Sequence, residues 1–292
     1  MPCPARTTPY PPPLPPTAQA TLVGSGYLFL EGPVWVAAQG ALFLSDTDFE
    51  TSTQPNGPAS NIVRFKPPST FDVFVVGANV NGLALANDGR ILAANQDTQS
   101  LSFFDPSTGA RDNLRLRYRG DKFNSPNDLA VRADGNVYFT DPDYAIGPRS
   151  SETLLYGVYR VSRRGGVSLV DGRVTRPNGI ALSPDERTLY VGGREENVYR
   201  YHLAADGSVV GEREVFAPGG ESDGFTIDCA GNLYVTSTTV KVFAPDGSLL
   251  SEIVAGEFAT NVAFGGPNQS TLYITSYGEL YAIESSVPGR AY

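Results

Sequence analysis

The stretch Asn127-Asp-Leu-Ala-Val-Arg-Ala-Asp-Gly-Asn-Val-Tyr-Phe-Thr-Asp141 recurs in outline six times, and that repetition limits the folds open to this chain more than any other feature. Each copy opens on a carboxylate or an amide, runs through a short apolar strand, turns at Gly or Asp and returns through a second apolar strand. The copies begin at Glu31, Asn81, Asn127, Asn178, Asp223 and Asn261. A period of about 40 to 50 residues built from strands alone is the mark of propeller blades rather than of a helical solenoid. Between consecutive hairpins lie two more strand-like runs, for example NIVRFK and FDVFVV after the first copy, SLSFFD and NLRLRY after the second.

The expected fold is therefore all-β: a six-bladed β-propeller with four-stranded antiparallel blades. The sixth unit is one strand short, holding NVAFG, TLYITS and ELYAIE, while an unassigned run at residues 20–23 precedes the first copy. An unpaired sheet edge invites aggregation. Residues 20–23 are accordingly expected to pair beside residues 279–284 and close the ring. Residues 1–19, with eight prolines, are expected to form an extended polyproline-like arm, and residues 20–292 the propeller domain.

Net charge is −9, and no basic patch offsets it, which argues against nucleic acid and anionic membranes as partners and in favour of cations. No apolar run approaches the roughly 20 residues of a membrane-spanning helix. A monomer acting on a small molecule is expected. Cys3 and Cys229 are the chain's two cysteines. Cys229 falls at the turn of the fifth hairpin, where an arm crossing that face would bring Cys3 to it; a bridge there would indicate a secreted or periplasmic setting, and two free thiols are the alternative.

In a propeller the first strand of each blade lines the central channel, so the six opening residues converge at one mouth. Two carboxylates and four amides meet there, with no soft ligand. Oxygen donors alone suit a hard cation such as Ca²⁺, which takes six to eight of them; Zn²⁺ would be expected to recruit His or Cys, and the one histidine, His202, lies in an outer strand. A single Asn or Asp before a strand is ordinarily a turn cap, but turn chemistry does not demand one at the same place in every copy. Two carboxylates buried together would repel each other unless a cation stood between them.

Glu31-Gly-Pro-Val-Trp35, Ser125-Pro-Asn-Asp-Leu129, Tyr138-Phe-Thr-Asp-Pro142, Arg176-Pro-Asn-Gly-Ile180, Ser222-Asp-Gly224 and Asn261-Val-Ala-Phe-Gly265 together resemble the SMP-30/gluconolactonase/regucalcin family over residues 25–285. The resemblance implies one divalent cation at the top of the tunnel, usually Ca²⁺ with Zn²⁺, Mn²⁺ or Mg²⁺ as alternatives, held by Glu31, Asn127, Asn178 and Asp223. It implies hydrolysis of sugar lactones or, in the related diisopropylfluorophosphatase group, of phosphorus–fluorine bonds. Asp223 is then the expected base and Glu31 its partner in the catalytic pair, while Asn81, Asn127, Tyr144 and Asn261 are expected to contact substrate. Trp35 and Phe225 are further candidates for the pocket wall. Where relatives carry Glu-His-Gly followed by arginines, this chain has Asn95-Gln-Asp-Thr-Gln99, so the positive charge expected on the substrate side is missing. A propeller with a structural ion and no turnover is the non-enzymatic alternative. Neither a GxSxG elbow nor a phosphate-binding glycine loop is present.

Overall fold

The computed structural model describes residue 3 and residues 7–290. Six antiparallel sheets are arranged as blades around a central axis. Blade 1 comprises Leu30–Val36, Ala41–Asp48, Ala59–Lys66 and Thr70–Val75; blade 2 comprises Val80–Leu85, Ile91–Asn95, Ser100–Phe104 and Arg111–Asn113. Blade 3 runs through Leu129–Val131, Val137–Asp141, Gly157–Val161 and Val167–Asp171, and blade 4 through Pro177–Leu182, Thr188–Gly193, Val198–Leu203 and Val209–Ala217. Blade 5 holds Phe225–Ile227, Leu233–Thr236, Val240–Phe243 and Leu249–Val254; blade 6 holds Asn261–Gly265, Thr271–Ser276 and Glu279–Glu284. The innermost strands touch their neighbours all the way round, blade 6 to blade 1 included. The expected fold is thus the one observed. One strand differs: the outer strand of blade 2 is Arg111–Asn113 rather than the NLRLRY run that follows it. Leu114 and Leu116 instead turn inward and pack under Phe123 and Tyr159.

Why these segments become blades is visible in their burial. The first and second strands of each blade are buried on both faces, so their residues are apolar almost without alternation. The outer strands alternate, as a half-solvated strand must; Val209–Ala217 is mostly exposed along its length. Successive blades pack face to face through side chains such as Phe43, Ile62, Leu83 and Phe104 between blades 1 and 2.

Blade 6 is completed by Thr21–Ser25, antiparallel to Glu279–Glu284 with Thr21 opposite Ala282 and Ser25 opposite Glu279, which is the closure expected from the sequence. The arm goes further than expected. Its last residues, Thr17–Gln19, lie parallel to Leu249–Val254 as a fifth strand of blade 5. The prolines before them lack N–H donors and serve only as acceptors: Pro16 O accepts from Glu252 N at 2.9 Å, Pro15 O from Ser251 Oγ at 2.5 Å and Pro13 O from Ser286 N at 3.0 Å. Leu14 is buried among Ala18, Ile253 and Leu272. Cys3 and Cys229 form a disulfide that ties residues 226 apart in sequence and fixes the far end of the arm to the face opposite the ring of opening residues.

The arm covers the outer edges of two blades, so its loss should be felt globally. Burial of Leu14 alone is worth about 2 kcal/mol, and deleting residues 1–25 also uncovers two strand edges. The truncated protein is expected to lose at least about 3 kcal/mol in urea unfolding, or to aggregate. Full-length protein with the disulfide reduced should fall between the two, because it loses the tether but keeps both strand pairings. Equal midpoints for the truncated and intact proteins would contradict this closure.

Candidate active site

Each opening residue is delivered to the tunnel mouth by a local device. In blades 1, 2 and 4 the inner strand carries a register shift directly after the opening residue, between Glu31 and Val34, Val80 and Leu83, and Pro177 and Ile180. Such a bulge re-aims a side chain out of the ladder. A glycine follows Glu31, Asn81, Asn178 and Asp223, and the next blade fills the space where its Cβ would be. A Cβ on Gly179 would lie 2.1 Å from Asp223 O; one on Gly82 would lie 2.6 Å from Asn127 O. The Gly82 N–H donates to that same carbonyl at 2.7 Å. Backbones of adjacent blades therefore meet at the mouth with no side chain between them.

Hydroxyls of the neighbouring strands then fix the spacing. Ser45 Oγ donates to Asn81 O at 2.8 Å, Thr140 Oγ1 to Asn178 O at 2.8 Å, and Thr260 Oγ1 to Leu30 O at 2.8 Å. Ser45 and Thr140 stand in the repeated second-strand endings LSD and FTD, while Thr260 comes just before Asn261. The loop carrying Asn127 has its own clamp: Asp141, fully buried, accepts from Asn124 N at 2.8 Å and Ser125 N at 2.9 Å.

Glu31, Asn81, Asn127, Asn178 and Asp223 all line one cavity of about 340 Å³, with Tyr144 in its wall. This volume falls at the small end of ligand sites, about 300 to 1,000 Å³. Asn261 is elsewhere. Its Nδ2 donates to Glu31 Oε2 at 2.8 Å from within the tunnel, so it orients the carboxylate instead of facing the cavity. Trp35 and Phe225 also face the tunnel; Trp35 stacks on Tyr273 at 6.1 Å. His202 is half exposed on the outer blade, beside Glu214. The Asn95 to Gln99 segment does not reach the cavity. Asn95 Oδ1 accepts from Thr98 N at 2.9 Å, and Gln99 Nε2 donates to Phe123 O at 2.6 Å, so these polar residues hold a buried turn.

Burial pushes the Glu31 carboxyl up to about 7 against the opposing pull of hydrogen bonds from Asn261 and Gly32 N–H. Asp223 is raised well above the carboxylate range, first by burial and then by the charge of Glu31, with which it is in hydrogen-bonding contact. The groups that stabilise the pair's charge are neutral amides and a backbone N–H. Asn81 Oδ1 is buried and has no hydrogen-bond partner. Two crowded carboxylates, two amides and an unpartnered amide oxygen around one small space form a donor set that fits a hard divalent cation. Among the described residues no group of three His, Cys, Asp or Glu side chains forms a metal nest, so any cation here would need amide oxygens as well as the two carboxylates.

Several residues of the site escape a reading of the sequence alone. Arg176 and Arg194 line the cavity from blade 4, which corrects the expectation that the substrate side lacks positive charge. The charge enters from blade 4, two blades along the ring from where relatives were expected to place it. Arg176 Nε meets Asp143 Oδ1 at 2.7 Å, and its guanidinium stands 5.6 Å from the Tyr144 ring. Phe29, Phe49 and Phe258 form the opposite wall, Phe29 and Phe49 meeting edge to face at 4.9 Å. Tyr144 is raised to about 12 by burial and by the Asp223 charge, which keeps its hydroxyl a donor; it bonds Arg176 O at 3.2 Å. Asp128 occupies the place where four of the other five copies have glycine. Its carboxyl lies inside the tunnel, raised to about 8 by burial and by Glu31. Its sequence signal was the charge at a position that is glycine in four copies and valine in the sixth.

A sequence profile of the SMP-30/Gluconolactonase/LRE-like region matches residues 29–278. The gluconolactonase of Zymomonas mobilis is 32% identical over 291 residues, an alignment covering 92% of this chain and 82% of that protein. The pentonolactonase XacC of Haloferax volcanii is 27% identical over 85% of this chain and 81% of its own length. Among solved structures, a gluconolactonase from Xanthomonas campestris superposes with a TM-score of 0.80 at 29% identity, covering 96% of this chain and 100% of that one.

If the glycines set the radius of the ring, Gly179→Ala should press on Asp223 O and the Phe225 ring and displace Asp223 without replacing any side chain of the ring of opening residues. The variant is expected to stay folded by circular dichroism but to bind Ca²⁺ at least about tenfold more weakly than the parent in calorimetry, a change of roughly 1.4 kcal/mol. Unchanged affinity would mean that the close approach is incidental.

Proposed function

We infer that this chain, which belongs to the SMP-30/gluconolactonase/LRE-like family, is a hydrolase that opens sugar lactones at the cavity over the tunnel mouth, with a divalent cation as cofactor. The single observation that carries this reading is the meeting of buried Glu31 and half-buried Asp223 with the amides of Asn127 and Asn178 at one small cavity. The relatives named above, acting on gluconolactone and pentonolactone by their names, support the reaction class.

Glu31, Asn127, Asn178 and Asp223 would hold the cation, and Ca²⁺ suits their oxygens best. Bound there, it would supply a Lewis acid for the lactone carbonyl. The other steps fall to the chain's own side chains. Asp223, ionised once the charge of its neighbour is compensated, takes a proton from the water that adds to the carbonyl carbon and returns it to the ring oxygen as the ester C–O bond breaks, leaving the open hydroxy acid. Glu31 is fixed by Asn261 and the Gly32 N–H and keeps its orientation through turnover. The Tyr144 hydroxyl remains protonated and can donate to an oxygen of the substrate. Asn81 Oδ1, which has no partner in the chain, accepts from a substrate hydroxyl or from an ordered water. Phe29, Phe49 and Phe258 give the apolar face of a sugar ring a surface to lie on.

Phosphotriester cleavage at the same residues remains the rival chemistry, and a panel of lactones against a fluorophosphate separates the two. With a pH-indicator assay, chelation is expected to abolish lactone opening and Ca²⁺ to restore it. Asp223→Asn should lower kcat by at least about a thousandfold, the scale of losing both a base and a charged ligand; full activity in that variant would remove the proposal.

The raised carboxyls give a second expectation. In the cation-free protein Glu31 has a folded value near 7 against an ordinary 4.5, so the protonated form is favoured by folding. Stability from this group is present below 4.5 and is lost as pH rises through about 7. Ca²⁺ binding must displace that proton. Apparent affinity should therefore fall as pH drops through 7, with net proton release measured by calorimetry in buffers of different ionisation enthalpy. Affinity independent of pH between 6 and 8 would exclude the shared-proton pair.

A further inference from the structure

Two arginines border the cavity, and their situations differ. Arg176 is committed: its Nε meets Asp143 Oδ1 at 2.7 Å, a terminal nitrogen donates to Asp143 Oδ2 at 3.1 Å, and its face rests toward Tyr144. Arg194, at the end of the second strand of blade 4, has one ionic neighbour, Glu221, at 3.5 Å from Nε. Both side chains of that pair are open to solvent, Arg194 by 48% and Glu221 by 70%. An exposed ion pair of this kind is worth at most about 1 kcal/mol. The terminal nitrogens of Arg194 have no hydrogen-bond partner among the described residues. The backbone beneath is nevertheless fixed, since Arg194 N donates to Thr175 O at 3.0 Å and Gly193 O accepts from Ser222 N at 3.1 Å. A rigid base therefore carries a guanidinium with an unused planar fork, directed at the wall of a cavity whose floor is the carboxylate and amide ring.

We propose that Arg194 selects lactones carrying an anionic substituent, a terminal phosphate or carboxylate on the sugar, by bidentate pairing at the rim while the ester carbonyl lies over the ring. The inference rests on the lactone-hydrolase reading and narrows its substrate class. Guanidinium forks match the two oxygens of a carboxylate or phosphate, and the pairing is stronger than a neutral hydrogen bond. Glu221 acts as the resident competitor. It holds Arg194 loosely when no anion is bound and yields to one that is better placed. Blade 1 stands across the ring and supplies Phe29 and Phe49, which leaves the charged end of such a substrate only the blade 4 side to occupy.

The test compares D-glucono-δ-lactone with its terminal phosphate ester and its terminal carboxylate analogue, using the full chain with saturating Ca²⁺. The parent protein is expected to favour at least one anionic lactone by about tenfold or more in kcat/KM, and the two anionic arms separate phosphate from carboxylate. Arg194→Gln should bring that ratio close to one, chiefly through KM, and Arg194→Lys should keep part of it because charge survives without the fork. Glu221→Gln should raise the ratio by freeing the guanidinium. A parent that favours the neutral lactone overturns the proposal, as does an Arg194→Gln variant that slows all three lactones equally. Calorimetry with gluconate and its terminal phosphate as ligands separates this outcome from failure of the broader reading. Binding that favours the phosphate and loses that preference in Arg194→Gln supports the Arg194 role even if no lactone is opened, whereas equal binding of the two acids sinks it.

Discussion

Two carboxyl groups, Glu31 and Asp223, are held together out of water, and much of the architecture around the tunnel mouth can be understood as what that arrangement requires. An ion moved from water into a protein interior costs several kcal/mol even after relaxation, and a second of the same sign beside it adds repulsion. The fold offsets part of this with fixed dipoles: the Asn261 amide and the Gly32 N–H on Glu31, the Asn178 amide on Asp223. Neutral partners reduce the conflict but leave it unresolved, which is why both carboxyls titrate upward. A doubly charged ion bound between them would resolve it, since the oxygens are already gathered.

Such a site demands a rigid ring, because its residues come from blades that are adjacent in space but far apart in sequence. Rigidity is supplied at two radii. At the mouth, glycines let neighbouring backbones come into contact, and the hydroxyls of Ser45, Thr140 and Thr260 bind the carbonyls of the adjoining blade. At the perimeter, Thr21–Ser25 completes blade 6, and Thr17–Gln19 covers the edge of blade 5. The same N-terminal segment thus joins first and last blades, and the disulfide at Cys229 anchors its far end. Splaying at the seam would be transmitted to the mouth directly, since Glu31 in blade 1 is bonded to Asn261 in blade 6 across it.

The repeat made the blades and the ring legible, because a buried strand pair followed by a half-exposed one leaves a strong mark on composition. The convergence of the opening residues at one mouth could be read from the repeat, and the seam located by counting strands. The remainder was hidden for definable reasons. Asn81 and Asn261 look alike in sequence; only the register of their strands sends one to the cavity and the other into the tunnel. Arg194 follows a second strand at the point where the chain emerges on the cavity side, but nothing local in Gly-Gly-Arg-Glu-Glu distinguishes a pocket wall from a solvated loop. Phe29, Phe49 and Phe258 lie in connections whose course depends on tertiary packing. The Asn95 to Gln99 segment misled in the opposite direction, since its polar residues serve a buried turn.

The cavity therefore has two layers with different physical dependence. Its floor is written into the repeat, its residues standing at or just before inner-strand starts and most of them beside a glycine or a neighbouring hydroxyl, so a change there strains the whole ring. Its rim is made of side chains from connections, such as Arg194 and Phe49, that bear little of the packing. Charge at the rim can be exchanged at the cost of a weak exposed ion pair, while charge on the floor cannot be altered without leaving a buried group uncompensated. A fold partitioned in this way could keep one reaction and change its substrate, because the floor proposed to activate a carbonyl and the rim that would recognise the rest of the molecule share almost no structural support.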